Sequence, residues 1–164
     1  IFAPEGGKNM APRQHMRKMK VGKITFNEAY KAVSEYRRKF PQKAVTFYAQ
    51  NYPSMGWAVF MASGSCPVIP CKDKAFLKDA AAMEVEETNT DQYKKLVKSD
   101  TGNIIYSKSG TEIPIHLSSG KYVLKYIHPN SGEVNTINKS LKIKGLYTLK
   151  VPDKKEGIYW FHKL

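Results

Sequence analysis

Between residues 103 and 162 the chain is cut into short strand-like stretches by turn chemistry, and this rhythm constrains its fold more than any other feature. Asn103 to Ser107, Glu112 to Leu117, Lys121 to His128, Glu133 to Lys144, Leu146 to Val151 and Ile158 to His162 are rich in β-branched and aromatic residues. Between them stand Ser109-Gly110, Ser118-Ser119-Gly120, Pro129-Asn130-Ser131-Gly132, Gly145 and the stretch from Asp153 to Gly157. Tyr122, Leu124 and Tyr126 alternate with Val123, Lys125 and Ile127, and Leu141 and Ile143 alternate with Lys142 and Lys144. A period of two broken by Gly, Pro, Asn and Ser at short intervals predicts an antiparallel β-sandwich over residues 92–164. The same alternation sends Trp160 to one face of its strand and Tyr159 and Phe161 to the other. One face is then core; an aromatic left on the surface there would stack on a sugar ring.

Residues 1–91 have a different texture. Thr25 and Glu28 form a capping box, and Phe26, Ala29, Tyr30, Val33, Tyr36 and Phe40 follow at helical spacing until Pro41. This predicts a helix over 26–39. The nearly continuous apolar run from Ala44 to Ala49 reads as a buried strand. Met55 to Ala62 is apolar all round and reads as a buried helix with Trp57 in the core. The proline-bracketed stretch Cys66 to Cys71 reads as a short strand, and Lys72 to Met83 as an amphipathic helix. Helix, strand, helix, strand, helix with short loops is an α/β pattern of the barrel or doubly wound type. The acidic stretch from Glu84 to Asp91 is the expected linker, which divides the chain into an α/β segment (1–91) and an antiparallel sandwich (92–164).

The 164 residues carry 27 Lys plus Arg against 14 Asp plus Glu, a net charge of +13. Residues 1–43 are net +8, residues 44–91 net −3 and residues 92–164 net +8. Such an excess fits either an anionic partner or simply a solvated, lysine-rich surface. The lysines are scattered through periodic segments, and no stretch has the pattern of an RNA-recognition motif, a zinc finger or an OB-fold, so nucleic acid is the least supported of the anionic partners. No apolar run reaches the roughly 18 residues of a spanning helix. No basic-then-apolar leader opens the chain. The start on Ile1-Phe2-Ala3, without an initiator Met, reads as processing or as a fragment.

Little in the chain has the spacing of a catalytic motif. Gly6-Gly7 and Ser63-Gly64-Ser65 are too short for phosphate loops, and no P-loop, dinucleotide fingerprint, nucleophile elbow or zincin helix occurs. His15, His116, His128 and His162 are dispersed, and Cys66 and Cys71 lack further ligands nearby, so no metal or other cofactor is expected. The two thiols are either a disulfide across a tight excursion or two small buried groups. Glycoside hydrolysis needs two carboxyl groups facing one cleft. Glu5, just after the strand-like Ile1-Phe2-Ala3, is the one candidate acid in such a place. Gln50, Asn51 and Tyr52 follow the run 44–49; their amide and phenol groups either hydrogen-bond a hydroxyl-rich ligand or cap a loop.

The stretches 103–110, 113–117, 120–133 and 157–164 together carry a family likeness. The Tyr126 to Glu133 pattern stands out: an aromatic, a spaced His128-Pro129, then Gly132-Glu133. They resemble the C-terminal β-sandwich of bacterial barrel-type glycoside hydrolases, a tail that has been called a collagen-binding domain. Lys43 to Ala49 is similar to the seventh barrel strand, Gly56 to Ser65 to the helix leading into the eighth, and Asp73 to Met83 to the last barrel helix. The likeness spans residues 40–164 and implies the C-terminal part of a longer, exported, carbohydrate-active protein. The sandwich would be its structural or carbohydrate-contacting accessory domain, packed on an upstream barrel segment of the same protein. At the end of the seventh strand, where such hydrolases carry a nucleophilic Glu, this chain has Ala49 and Gln50. The resemblance therefore does not imply catalysis by this stretch alone. The alternative is a stand-alone basic module that binds an acidic glycan, a matrix protein or nucleic acid through the lysine-rich strands 139–150.

Overall fold

The computed structural model describes residues 24–47, 55–99, 101–153 and 155–164. The chain forms two compact units, Ile1–Ile69 and Pro70–Leu164.

In the first unit, helix α1 spans Phe26–Lys39 and helix α2 spans Met55–Met61. The capping box closes as the sequence predicts. The Thr25 hydroxyl accepts from the Glu28 amide at 3.3 Å, and the Glu28 carboxylate accepts from the Thr25 amide at 2.7 Å. Hydrogen bonds donated to the Glu28 carboxylate by the Thr25 amide and by the Thr25 hydroxyl hold its pKa below the ordinary value. Arg37, Arg38 and Lys39 fill the last turn, where cations complement the helix dipole. Ala29 and Val33, four residues apart, are the buried positions of α1. Ala29 clusters with Met55 and Ala58, and Val33 with Val59 and Ala62, so one stripe of α1 lies along α2. Gly64 permits the close approach, because a Cβ there would stand 2.5 Å from Val59 and 2.9 Å from Val33.

Among its described residues, this unit does not show the helix–strand alternation expected for the end of a barrel. Within the run 44–49, the described residues 44–47 contain a single bridge, at Phe47, and Ala44 is exposed. A strand inside a parallel sheet needs a hydrogen-bonded neighbour on each side. Here Val45 instead pairs with a turn: its carbonyl accepts from the Ser65 amide at 2.7 Å, and its amide donates to the Ser65 hydroxyl at 3.2 Å. Val45 and Phe47 spend their apolar surface on the α1–α2 clusters. The stretch from Cys66 to Cys71 is irregular rather than a strand. Pro67 and Pro70 donate no backbone hydrogen bond, and Cys66 sits at φ +53°. Both cysteines are free; Cys66 is exposed and Cys71 buried.

The second unit is built on one antiparallel sheet. Helix α3 (Lys74–Ala80) precedes strands β1 (Glu84–Glu86), β2 (Tyr93–Lys98), β3 (Gly102–Ser107), β4 (Glu112–Ile127), β5 (Val134–Lys150) and β6 (Gly157–Lys163). Their order across the sheet is β1-β2-β3-β6-β4-β5. Residues 84–86, expected within an acidic connection, pair with Lys95 to Val97 as the edge strand. Two pairs of expected strands are fused into the long β4 and β5. Sixteen residues of flat strand would extend roughly 50 Å, and β4 avoids this by a bulge. From Leu117 to Gly120 it advances three residues while β5 advances two, from Gly145 to Ile143. The inward set therefore switches from Ile113, Ile115 and Leu117 to Tyr122 and Leu124, all of them buried.

This switch lets the hairpin fold over. Ile113, Ile115, Leu117, Ile143 and Leu149 share one core cluster with Ile105, Tyr159 and Phe161 of β3 and β6. The Lys95 ammonium of β2 donates to the Pro114 carbonyl of β4 at 3.0 Å, although two strands separate β2 from β4 in the sheet. The sandwich expected for 92–164 is thus a single six-stranded sheet closed on itself in a sandwich-like way. The opposite face of β3 and β6 is buried as well. Leu96, Ile104 and Trp160 lie in one cross-strand row, and the Phe76 ring of α3 meets Trp160 edge-on at 5.4 Å. Asp79 of α3 accepts from the Trp160 indole N–H at 2.8 Å.

Candidate functional site

A concavity of the second unit lies at the end where β4, β5 and β6 meet. It is a groove of about 680 Å³. Three tyrosines form its aromatic surface. Tyr126 and Tyr159 are cross-strand partners with rings 5.4 Å apart, and Tyr147 of β5 meets Phe161 edge-on at 5.8 Å. Period-two alternation puts Tyr126 and Tyr159 on the same inward face as Leu124 and Phe161. Gly157 makes room for this, because a Cβ on it would enter the Tyr126 ring.

The loop before β6 is tied to the groove by the phenols. The Tyr126 hydroxyl donates to the Glu156 carbonyl at 3.0 Å, and the Tyr159 hydroxyl donates to the Lys155 carbonyl at 3.1 Å. The Lys155 amide donates back to Pro152 at 3.2 Å. The backbone of Lys155, which lines the groove, is thus held from both sides. Burial pushes the Tyr159 phenol up to about 12, and burial with the nearby Glu156 charge raises Tyr126. The Glu156 carboxylate accepts from the Tyr106 hydroxyl, and burial together with that bond raises Tyr106 as well. The phenols are therefore neutral hydrogen-bonding groups at neutral pH. Asn135, Thr148, Lys150 and Lys155 supply the polar rim. A flat aromatic surface beside amide, hydroxyl and ammonium groups is chemically suited to a polyhydroxylated ligand.

A second basic feature lies on the outer face of the same hairpin, where Lys121 stands directly opposite Lys142 and Lys144 follows two residues on. Like charges in that position repel, and lysines also guard exposed sheet edges; β5 is such an edge. Trp160 is buried beneath α3 and offers no surface for stacking. The candidate acid Glu5 and the candidate ligand-binding residues Gln50, Asn51 and Tyr52 lie outside the described residues. Among the described residues no group of His, Cys, Asp and Glu has the arrangement of a metal site, and no helix is long and apolar enough to cross a membrane.

The groove residues carry no sequence motif of their own. Tyr122, Leu124 and Tyr126 share a face in the sequence reading, but the meeting of Tyr126 with Tyr159 and Tyr147 depends on the order β6-β4-β5, which periodicity does not encode.

A family model described as "Domain of unknown function (DUF6298)" matches residues 1–83. The chain belongs to the DUF6298 family. The DUF6298 match takes in the first unit and α3, and ends before β1. Among solved structures, the DUF6298 chain is similar to a glycoside hydrolase at 9% identity and a TM-score of 0.37, over 51% of this chain and 20% of that one. It is also similar to CapF, in a crystal structure with the inhibitor 3-isopropenyl-tropolone, at 11% identity and a TM-score of 0.18, over 84% of this chain and 43% of that one. The chain thus spans about a fifth of the length of the glycoside hydrolase and less than half that of CapF. No curated protein matches it.

Proposed function

We propose that the sheet unit is a carbohydrate-contacting accessory domain of a glycoside hydrolase-like protein, and that the tyrosine groove is its contact surface. The observation that carries this reading is the convergence of Tyr126, Tyr147 and Tyr159 on one groove rimmed by Asn135, Thr148, Lys150 and Lys155. Neutral phenols and an aromatic face can receive both the C–H face and the hydroxyls of a sugar ring. Within this reading Glu5 is the acid to examine in the longer protein, with Gln50, Asn51 and Tyr52 as sugar-binding groups.

The test is titration of the full chain with soluble oligosaccharides, followed by backbone amide NMR and calorimetry. The expected result is shifts confined to strands β4, β5 and β6 around the groove, with at least a tenfold loss of affinity in Tyr147→Ala, the scale of one base-like stacking contact. Tyr147 is half-buried at the rim, so Tyr147→Phe serves as the folding control and retains most of the binding. Shifts scattered over the molecule, or equal affinity in Tyr147→Ala, would overturn the proposal.

A further inference from the structure

We infer that the groove selects an acidic glycan, one bearing uronate carboxylates, over a neutral glycan of the same shape. This rests on the reading of the groove as a carbohydrate site and adds the class of sugar. The ionisable groups that line the groove are its tyrosines, Lys150 and Lys155; no carboxylate lines it among the described residues. Of the acids nearby, Asp153 follows Pro152 and is exposed to water, while Glu156 and Glu112 are engaged. Glu156 is held by the Tyr106 hydroxyl. Glu112 pairs with Lys150 at 3.2 Å, but both side chains are largely exposed, so water screens that pair and a ligand carboxylate can compete for the ammonium. Lys155 lines the groove on a backbone held by Pro152 and Tyr159, so the loop that carries it is already ordered.

The wider field has the same sign. From Glu112 to Lys150 the hairpin carries six lysines and two acids, Glu112 and Glu133. A neutral sugar gains nothing from this arrangement, and the lysines lose hydration when a neutral ring covers them. A carboxylate on each second or third ring would replace that hydration with charge-assisted hydrogen bonds, which are about twice as strong as neutral ones. The tyrosines would then supply the stacking and Lys150 and Lys155 the choice of sugar.

The experiment uses the full chain and matched pairs of hexasaccharides: galacturonate, alginate and hyaluronan oligomers, each beside its carboxyl-reduced neutral counterpart. Affinities are measured by calorimetry at about 20 mM and about 500 mM salt, a span over which the screening length shrinks from roughly 20 Å to a few Å. The expected result is at least one acidic oligomer bound about tenfold tighter than its neutral counterpart at low salt, the equivalent of one charge-assisted hydrogen bond. The preference should shrink at high salt. It should fall in Lys155→Gln and vanish in the Lys150→Gln/Lys155→Gln double variant, both exposed substitutions that leave the core intact. Equal binding of the acidic and neutral members would overturn the charge selection and leave the carbohydrate reading standing. Absence of binding to every oligomer would overturn both. Acidic binding that survives the double variant but is lost in Lys121→Gln/Lys142→Gln would overturn the groove as its site and place it on the outer lysines.

Discussion

Replacing Asp79 tests how α3 is fastened to the sheet. Its side chain is 10% exposed and accepts from the Trp160 indole N–H at 2.8 Å. It also faces the Lys98 ammonium and the His162 ring nitrogen, each at 3.4 Å. Lys98 and His162 are about half-exposed, so on losing Asp79 they return to water, and the two contacts together are worth about 1 kcal/mol at most. Trp160 cannot do the same, because the residue is 1% exposed. Asp79→Ala strands its N–H against the apolar Phe76 ring and forfeits a hydrogen bond to a charged group, about 1.5–3 kcal/mol. The expected total is about 2–4 kcal/mol. Asp79→Asn keeps an oxygen for the indole and loses mainly the charge, so about 1 kcal/mol is expected. Urea unfolding of the full chain followed by circular dichroism gives the two stabilities, and NMR gives the exchange rate of the Trp160 indole proton. Asp79→Ala should accelerate that exchange and Asp79→Asn should nearly preserve the native rate. Equal destabilisation by the two variants, or an unchanged indole exchange rate in Asp79→Ala, would refute the claim that this one hydrogen bond anchors the helix.

Three further outcomes are expected. Gly157→Ala should lower the melting temperature more than Gly145→Ala: a Cβ at 157 enters the Tyr126 ring and costs about 1–3 kcal/mol. A Cβ at 145 meets nothing within 4 Å and adds only the strain of φ +93°. Alkaline stability should carry the mark of Tyr159. Its unfolded phenol ionises near 10 and its folded phenol near 12, so the folded chain holds the extra proton in that window. The resulting stability is complete below about pH 10 and declines by about 1–2 kcal/mol toward pH 12, a slope that Tyr159→Phe should flatten in a pH series of urea midpoints. Thr25→Ala should cost about 1 kcal/mol through loss of the α1 cap, whereas Thr25→Ser should retain it, as read from the same unfolding curves.

How much of this was legible in the sequence depends on whether the signal was local. Helix α1 was read at its true bounds because a capping box and Pro41 mark both ends. Strand β2 was not foreseen, because Tyr93 to Lys98 contains three lysines and gives no clean alternation. In the fold Lys94 and Lys95 are nonetheless buried, their ammonium groups held by the Thr90 carbonyl at 2.7 Å and by Glu86 at 2.8 Å. Those partners are brought in by the turn before β2 and by the edge strand β1, which strand alternation alone does not reveal. At Val45 to Phe47 the local signal does not decide, because a run of apolar residues looks the same whether it pairs in a sheet or packs against helices. The groove was illegible for the same reason as β2: Tyr126, Tyr147 and Tyr159 are widely separated and meet only through strand order. The stacking role considered for Trp160 failed because both faces of β6 are covered, one by the folded hairpin and one by α3.

The bulge at residues 118–120 gives the β4–β5 hairpin two reading frames in one strand pair, odd residues inward before it and even residues inward after it. The pairing shifts again opposite Tyr122 to Lys125, where β5 carries the extra residues; between these irregularities an insertion of one residue would throw the side chains beyond it onto the wrong face, whereas an insertion of two would only lengthen the ribbon. Length changes in this hairpin are therefore quantised: pairs are tolerated along the regular arms, and single residues only at the irregularities, among them Ser118, Ser119 and Gly120, which already absorb an odd count.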